Sequence, residues 1–112
     1  MLQIGVVPSN QDQKFSEWVV VMDDVGADAF AVTLETDAMQ GRGLSAGDLL
    51  IVDPAIPPAH GAVVAVLLEN LVSAGVYGPP YVIPQATSAE HKPLLIDKVR
   101  VLGVCRQAIK RL

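Results

Sequence analysis

The apolar residues of the chain come in short runs rich in Val, Ile and Leu, separated by Pro, Gly, Asp and Asn. Glu17 to Met22 reads as a strand, followed by a turn from Asp23 to Asp28 around Gly26. Ala29 to Glu35 is a second strand, with Phe30, Val32 and Leu34 alternating onto one face. Asp48 to Asp53 is a third, ended by the turn region Pro54 to Pro58. Gly61 to Glu69 and Leu71 to Tyr77 make a hairpin pivoting near Asn70. Tyr81 to Pro84 is a short strand whose prolines place it at an edge. Val99 to Ile109 is the longest run, with Gly103 a bulge or a point of close approach. The helical candidate is the single turn Ala38 to Arg42, cut off by Gly41 and Gly43. Strands arriving about every 8–12 residues with turn signals between them predict a mainly β fold, a compact strand-rich barrel or sandwich.

At 112 residues the chain has the length of one domain. Its 51% apolar and 18% charged content excludes a disordered tail. A single cysteine, Cys105, excludes an internal disulfide and a cysteine-built zinc site. The longest uncharged apolar stretch, Gly61 to Leu68, is eight residues, less than half a membrane span. Met1 to Val7 lacks the basic start and long apolar run of a secretory signal. No membrane association and a cytoplasmic location are therefore expected.

Charge is unevenly spread. Residues 1–90 carry eleven acids against Lys14 and Arg42, whereas residues 91–112 carry six bases against Asp97. An acidic body disfavours phosphate neutralisation, and the C-terminal bases alternate with apolar residues as on the outer face of a strand. No direct DNA binding by this chain is expected. Catalytic and metal patterns are also missing. His60 and His91 fall in turns beside prolines with no ligand spacing, and Asp48 and Asp53 bracket a strand without bringing their carboxylates together. Asp23, Asp24 and Asp28 lack the spacing of a calcium loop. No cofactor and no metal are expected.

One stretch is specific. Thr36-Asp37-Ala38-Met39, followed by Gly43 to Asp53 (GLSAGDLLIVD), resembles the signature of the LexA/UmuD family of self-cleaving serine–lysine peptidases. That signature runs approximately Gly-Asp-Ser-Met, a short variable piece, then Gly-Ile/Leu-x-x-Gly-Asp-Leu-Leu-x-Val-Asp. The likeness continues through His60 to Ala65, Ile83-Pro84 and Val101 to Val104, so it covers about residues 29–109. It implies the fold of the LexA/UmuD C-terminal domain over residues 17–112, preceded by an arm, residues 1–16, like the family's cleavage region.

The departures from the family bear on function. There a serine attacks the scissile carbonyl and an uncharged lysine takes its proton. The resemblance puts the serine position on Ala38 and the lysine position on Ala74, and a methyl group can do neither job. Thr36 and Ser73 carry hydroxyls nearby, but on a regular strand Ser73 faces away from residue 74, and Lys92 and Lys98 sit in other segments. The expectation is a pseudo-peptidase. The matching cleavage site, Ile4-Gly5, is degenerate, because β-branched Ile4 is larger than the Ala or Cys usual there.

Without chemistry a binding surface remains. Asp37, Met39 and Ser73 are candidates for a peptide groove beside Ala38 and Ala74, open to strand addition by the chain's own N-terminal arm or by another chain. Val99, Val101, Val104 and Ile109 are candidates for a dimer strand, as the family's C-terminal strand commonly contributes to one. Trp18 is assigned to the core. The resemblance implies a homodimer serving as the dimerisation and regulatory module of a LexA-like or phage-type repressor. An alternative is an accessory subunit of a translesion DNA polymerase like processed UmuD, with RecA filament or DNA polymerase contacts in the SOS response. A second alternative is a self-cleaving peptidase with rewired residues.

Overall fold

The computed structural model describes residues 3–7, 28–86 and 91–111. The expected strand at Glu17 to Met22, the turn after it as far as residue 27, and Trp18 lie outside these residues. Among the described residues, eight strands form one curled sheet: β1 (Gln3–Val7), β2 (Phe30–Thr33), β3 (Leu49–Asp53), β4 (Val63–Leu68), β5 (Leu71–Gly78), β6 (Tyr81–Ile83), β7 (Leu94–Leu95) and β8 (Arg100–Arg111). Among these residues helix is confined to two single 3₁₀ turns, Gln40–Arg42 and Ile96–Lys98. The mainly β expectation holds, and the strand order is β2-β3-β8-β4-β5-β6-β7, with β1 also on β8. All pairs are antiparallel except β1 with β8.

β8 organises the sheet. One edge takes β3 over residues 104–109; β4 pairs with residues 100–104 and β1 with residues 107–111. Its long run breaks register twice, where Ile51/Val52 face Gln107/Cys105 and where Ala65/Val66 face Gly103/Val101. Each break leaves one extra residue on β8, Arg106 and Leu102. A regular strand turns residues three apart to opposite faces. The bulges reset that alternation, and Leu102, Cys105 and Ala108 all meet the main core. Gly103, expected at a bulge or a close approach, supplies both: its φ is 152°, and a Cβ there would lie 2.8 Å from Val52 Cγ1 and 2.9 Å from the Asp53 carbonyl carbon.

β3 and β4 are buried on both faces, which is why LLIV and VVAV read as unbroken apolar runs. Leu50, Val52, Val63 and Ala65 enter the main core with Leu34, Met39 and Leu44. Val64 and Val66 enter a second cluster with Val82, and Ile51 a third with Ile109. The β4–β5 hairpin turns on Glu69-Asn70, with Glu69 at φ 56°.

One expectation needs correcting. β6 is not an edge, because it pairs with β5 on one side and β7 on the other. Pro79, Pro80 and Pro84 flank the strand and lie outside it, so every N–H of residues 81–83 is free to pair. Residues 3–7, within the segment read as an arm, form β1 in the same sheet, with Ile4 opposite Ala108 and Gly5 opposite Ile109.

The Cys105 thiol is buried in the main core, and desolvation pushes its pKa from 9.0 up to about 12. The folded state therefore holds the proton that the unfolded chain releases above pH 9. Its contribution is complete below pH 9 and is lost as pH rises towards 12, by about 1.4 kcal/mol at pH 10. Urea unfolding at pH 8, 9 and 10 should show the stability difference between the parent and Cys105→Ala changing by that amount. A difference independent of pH would mean that the thiol meets solvent in the fold.

Candidate functional site

β5 pairs with β4 over residues 71–76 and with β6 only over residues 76–78, so among the described residues one edge of residues 71–75 carries no strand. The loop after β2 is tied to that edge. The Glu35 N–H donates to the Val72 carbonyl at 2.9 Å, and the Val72 N–H donates to Glu35 Oε1 at 2.9 Å. One residue further along, Thr36 Oγ1 and Ser73 Oγ share a hydrogen bond of 2.8 Å. The Ala38 N–H points at Thr36 Oγ1 from 3.5 Å. The Gln85 N–H donates to the Ala38 carbonyl at 2.8 Å, which fastens the segment after β6 to the same loop.

These ties enclose a cavity of about 160 Å³. Thr36, Ala38, Ser73 and Ala74 line one side, and Leu68, Val82, Pro84 and Leu94 supply apolar walls. His91, half-buried, and Lys92, exposed, complete the lining. Ala38 and Ala74, which the resemblance pairs as lost serine and lysine positions, thus share one cavity. So do Thr36, Ser73 and Lys92, which strand alternation and segment placement had kept apart. Alternation fails as a guide because the cavity lies along the edge of β5, where residues of both faces reach it.

The other groove candidates are placed differently. Met39 is fully buried in the main core beside Leu44 and does not line the cavity. Asp37 turns outward along the loop, where its Oδ1 accepts the Ala46 N–H at 2.9 Å. The Ile4-Gly5 segment is paired with β8 and is not laid along β5. His60 is exposed in its turn. His91 is the residue that sequence reasoning missed. A lone histidine beside a proline carries no spacing signal, and only the pairing of β6 with β7 brings it to the cavity.

The loop is held in shape by Asp48 of the Gly-Asp pair. Gly47, at φ 97°, turns the chain, and its N–H donates to the Leu34 carbonyl at 2.7 Å. The Asp48 carboxylate is buried, accepts the Ser45 N–H at 2.8 Å and pairs with Lys110 Nζ at 2.7 Å, both through Oδ2. Asp53 ends β3 by accepting the Ala55 N–H at 3.0 Å. The two aspartates of the GDLLIVD block are therefore local fasteners, and no group of His, Cys, Asp and Glu suited to a metal occurs among the described residues.

Of the candidate dimer residues, Val101, Val104 and Ile109 lie on β8 and Val99 just before it; β3 fills one edge of β8 over residues 104–109, and on the other edge β4 pairs up to residue 104 and β1 from residue 107. Val99, Val101 and Val104 are half-buried against the Val64–Val66–Val82 cluster, and Ile109 is buried against Ala29, Ala31 and Leu49. Edge-to-edge pairing on the β3 side of residues 104–109 is thereby blocked, while residues 100–103 carry no strand on that side among the described residues. No described helix is long and apolar enough to cross a membrane.

Replacing Asp48 by Ala should cost about 2 kcal/mol, because it strands the half-buried Ser45 N–H and the Lys110 ammonium. Lys110→Met should cost less, about 1 kcal/mol, since that ammonium is partly solvated. Urea midpoints of the two variants check this; equal costs would show that the Ser45 bond adds nothing.

No family model matches the chain. Two LexA repressors of Leptospira biflexa serovar Patoc, from strains Patoc 1 / Ames and Patoc 1 / ATCC 23582 / Paris, are each 26% identical to it over 100 residues. The match takes in 86% of this chain and 50% of each repressor, so the chain spans about half the length of the curated relatives it matches. This weak homology, together with the mainly β fold, supports a LexA-like family for the chain.

Proposed function

We propose that this is a LexA-like domain that binds without cutting, the dimerisation and regulatory module of a LexA-like or phage-type repressor. The observation that carries the reading is the meeting of Ala38 and Ala74, 36 positions apart, in one cavity at the free edge of β5. Their meeting supports the residue-by-residue carry-over from the family, and with it the loss of both nucleophile and base. The dimer contact falls on the face around Val99, Val101 and Val104, half-buried valines that cover the small buried cluster of Val64, Val66 and Val82. DNA contact belongs to another segment of the repressor, and pairing two such segments is what a dimer contributes.

A second reading rests on the Thr36 and Ser73 hydroxyls lining the same cavity as His91 and Lys92. In that reading one hydroxyl is a nucleophile and Lys92 or His91 its base, and the chain cleaves itself. Nucleophile and base must lie within hydrogen-bond reach. Among the described residues, however, the two hydroxyls bond to each other and to neither His91 nor Lys92. The non-catalytic reading is the stronger.

Incubation at pH 10, with and without a RecA–DNA filament, separates the two. The non-catalytic reading predicts an intact mass at the full 11.8 kDa and sedimentation at about twice that mass near pH 7. A shortened chain would establish the rewired peptidase, and a monomer at 100 µM (roughly ten times a modest dimer constant) would remove the dimer.

A further inference from the structure

We propose that the cavity at the free edge of β5 is a binding site for an aliphatic group ending in a carboxylate, the chemistry shared by the C-terminus of a peptide and by a short branched acid. The inference rests on the reading that Thr36 and Ser73 bind and do not react. Two hydroxyls hold two protons between them, and their 2.8 Å bond uses one. The other is free to be donated to a ligand oxygen. The His91 ring lines the same space and also offers an N–H. Lys92 is the one charged residue of the lining, and no Asp or Glu is among the described residues that line it.

The donors therefore outnumber the acceptors, and the charge is positive in a chain whose net charge is −4. An anion is favoured locally by Lys92, while the acidic body leaves a polyanion disfavoured. The remaining walls, Leu68, Val82, Pro84 and Leu94, are apolar and suit a hydrocarbon. A volume of about 160 Å³ limits its size. A dry cavity of about 150 Å³ accepts a benzene-sized molecule, so one branched aliphatic side chain fits and a long acyl chain does not.

Calorimetric titration of the full chain with N-acetyl-Ala-Leu and with 4-methylpentanoate, each beside its own amide, tests the site. The acids should bind, their amides at least about tenfold more weakly, because a charge-assisted contact is lost. Lys92→Gln should weaken acid binding about fivefold, and Lys98→Gln, which alters an exposed lysine outside the cavity, should leave it unchanged. Tighter binding of the dipeptide assigns the site to a chain end, and tighter binding of 4-methylpentanoate assigns it to a free acid. Equal binding of acid and amide, no binding of either acid at 10 mM (roughly −3 kcal/mol), or an unaltered Lys92→Gln would overturn the proposal. Recovering the dipeptide by mass spectrometry keeps the two readings distinguishable. Hydrolysed dipeptide would sink the non-catalytic reading, and intact dipeptide without acid selectivity would sink this one alone.

Discussion

The two reciprocal bonds between Glu35 and Val72 set the position of everything in the cavity. Residues 37 apart in the sequence are held side by side there, and the next residue of each segment supplies a hydroxyl, Thr36 and Ser73, to the bond that follows. The loop can reach β5 because β6 leaves residues 71–75 uncovered. It keeps its shape because Asp48 gathers Ser45 and Lys110, and because Met39 and Leu44 anchor its underside in the core. A short hydrogen bond at the site is thus the outcome of apolar burial beneath it and of carboxylates beside it.

β8 relates that site to the rest of the sheet. By pairing with three strands, it joins β3, which leads out of the Asp48 loop, to β4, whose hairpin partner β5 carries Ser73 and Ala74. The two bulges let a single strand feed the main core from Leu102, Cys105 and Ala108 while presenting Val101 and Val104 to the opposite cluster. A dimer face and a binding cavity on one small sheet would then be coupled through β4, which touches both clusters through alternate side chains.

Much of the fold was legible in the sequence, for identifiable physical reasons. β3, β4, β5 and β8 announce themselves because each is long enough to bury apolar side chains in succession. β1 and β7 do not: QIGVV has Gly5 at its centre and LL is two residues, and each is a strand because a neighbour supplies its hydrogen bonds. The family likeness brought Ala38 and Ala74 into view, which no periodicity would have done. Ser73, a groove candidate, lines the cavity together with Ala74 although neighbours on a strand face opposite ways, since alternation describes faces and the cavity sits at an edge. Met39 looked like groove and is core, because a 3₁₀ turn can roll a side chain under its own loop as readily as away from it. His91 needed the β6–β7 pairing, a contact between residues too few to carry a pattern.

The central claim is that the hydroxyls at the cavity are not nucleophiles. Exposure of the native chain to a fluorophosphonate, at pH 7 and again at pH 10, followed by intact-mass and peptide mapping, tests it directly. The account predicts an unmodified chain at both pH values, with Thr36 and Ser73 occupied in their mutual bond. A phosphonate on either oxygen would contradict it, and would place an activated nucleophile where this account sees a donor for a bound carboxylate.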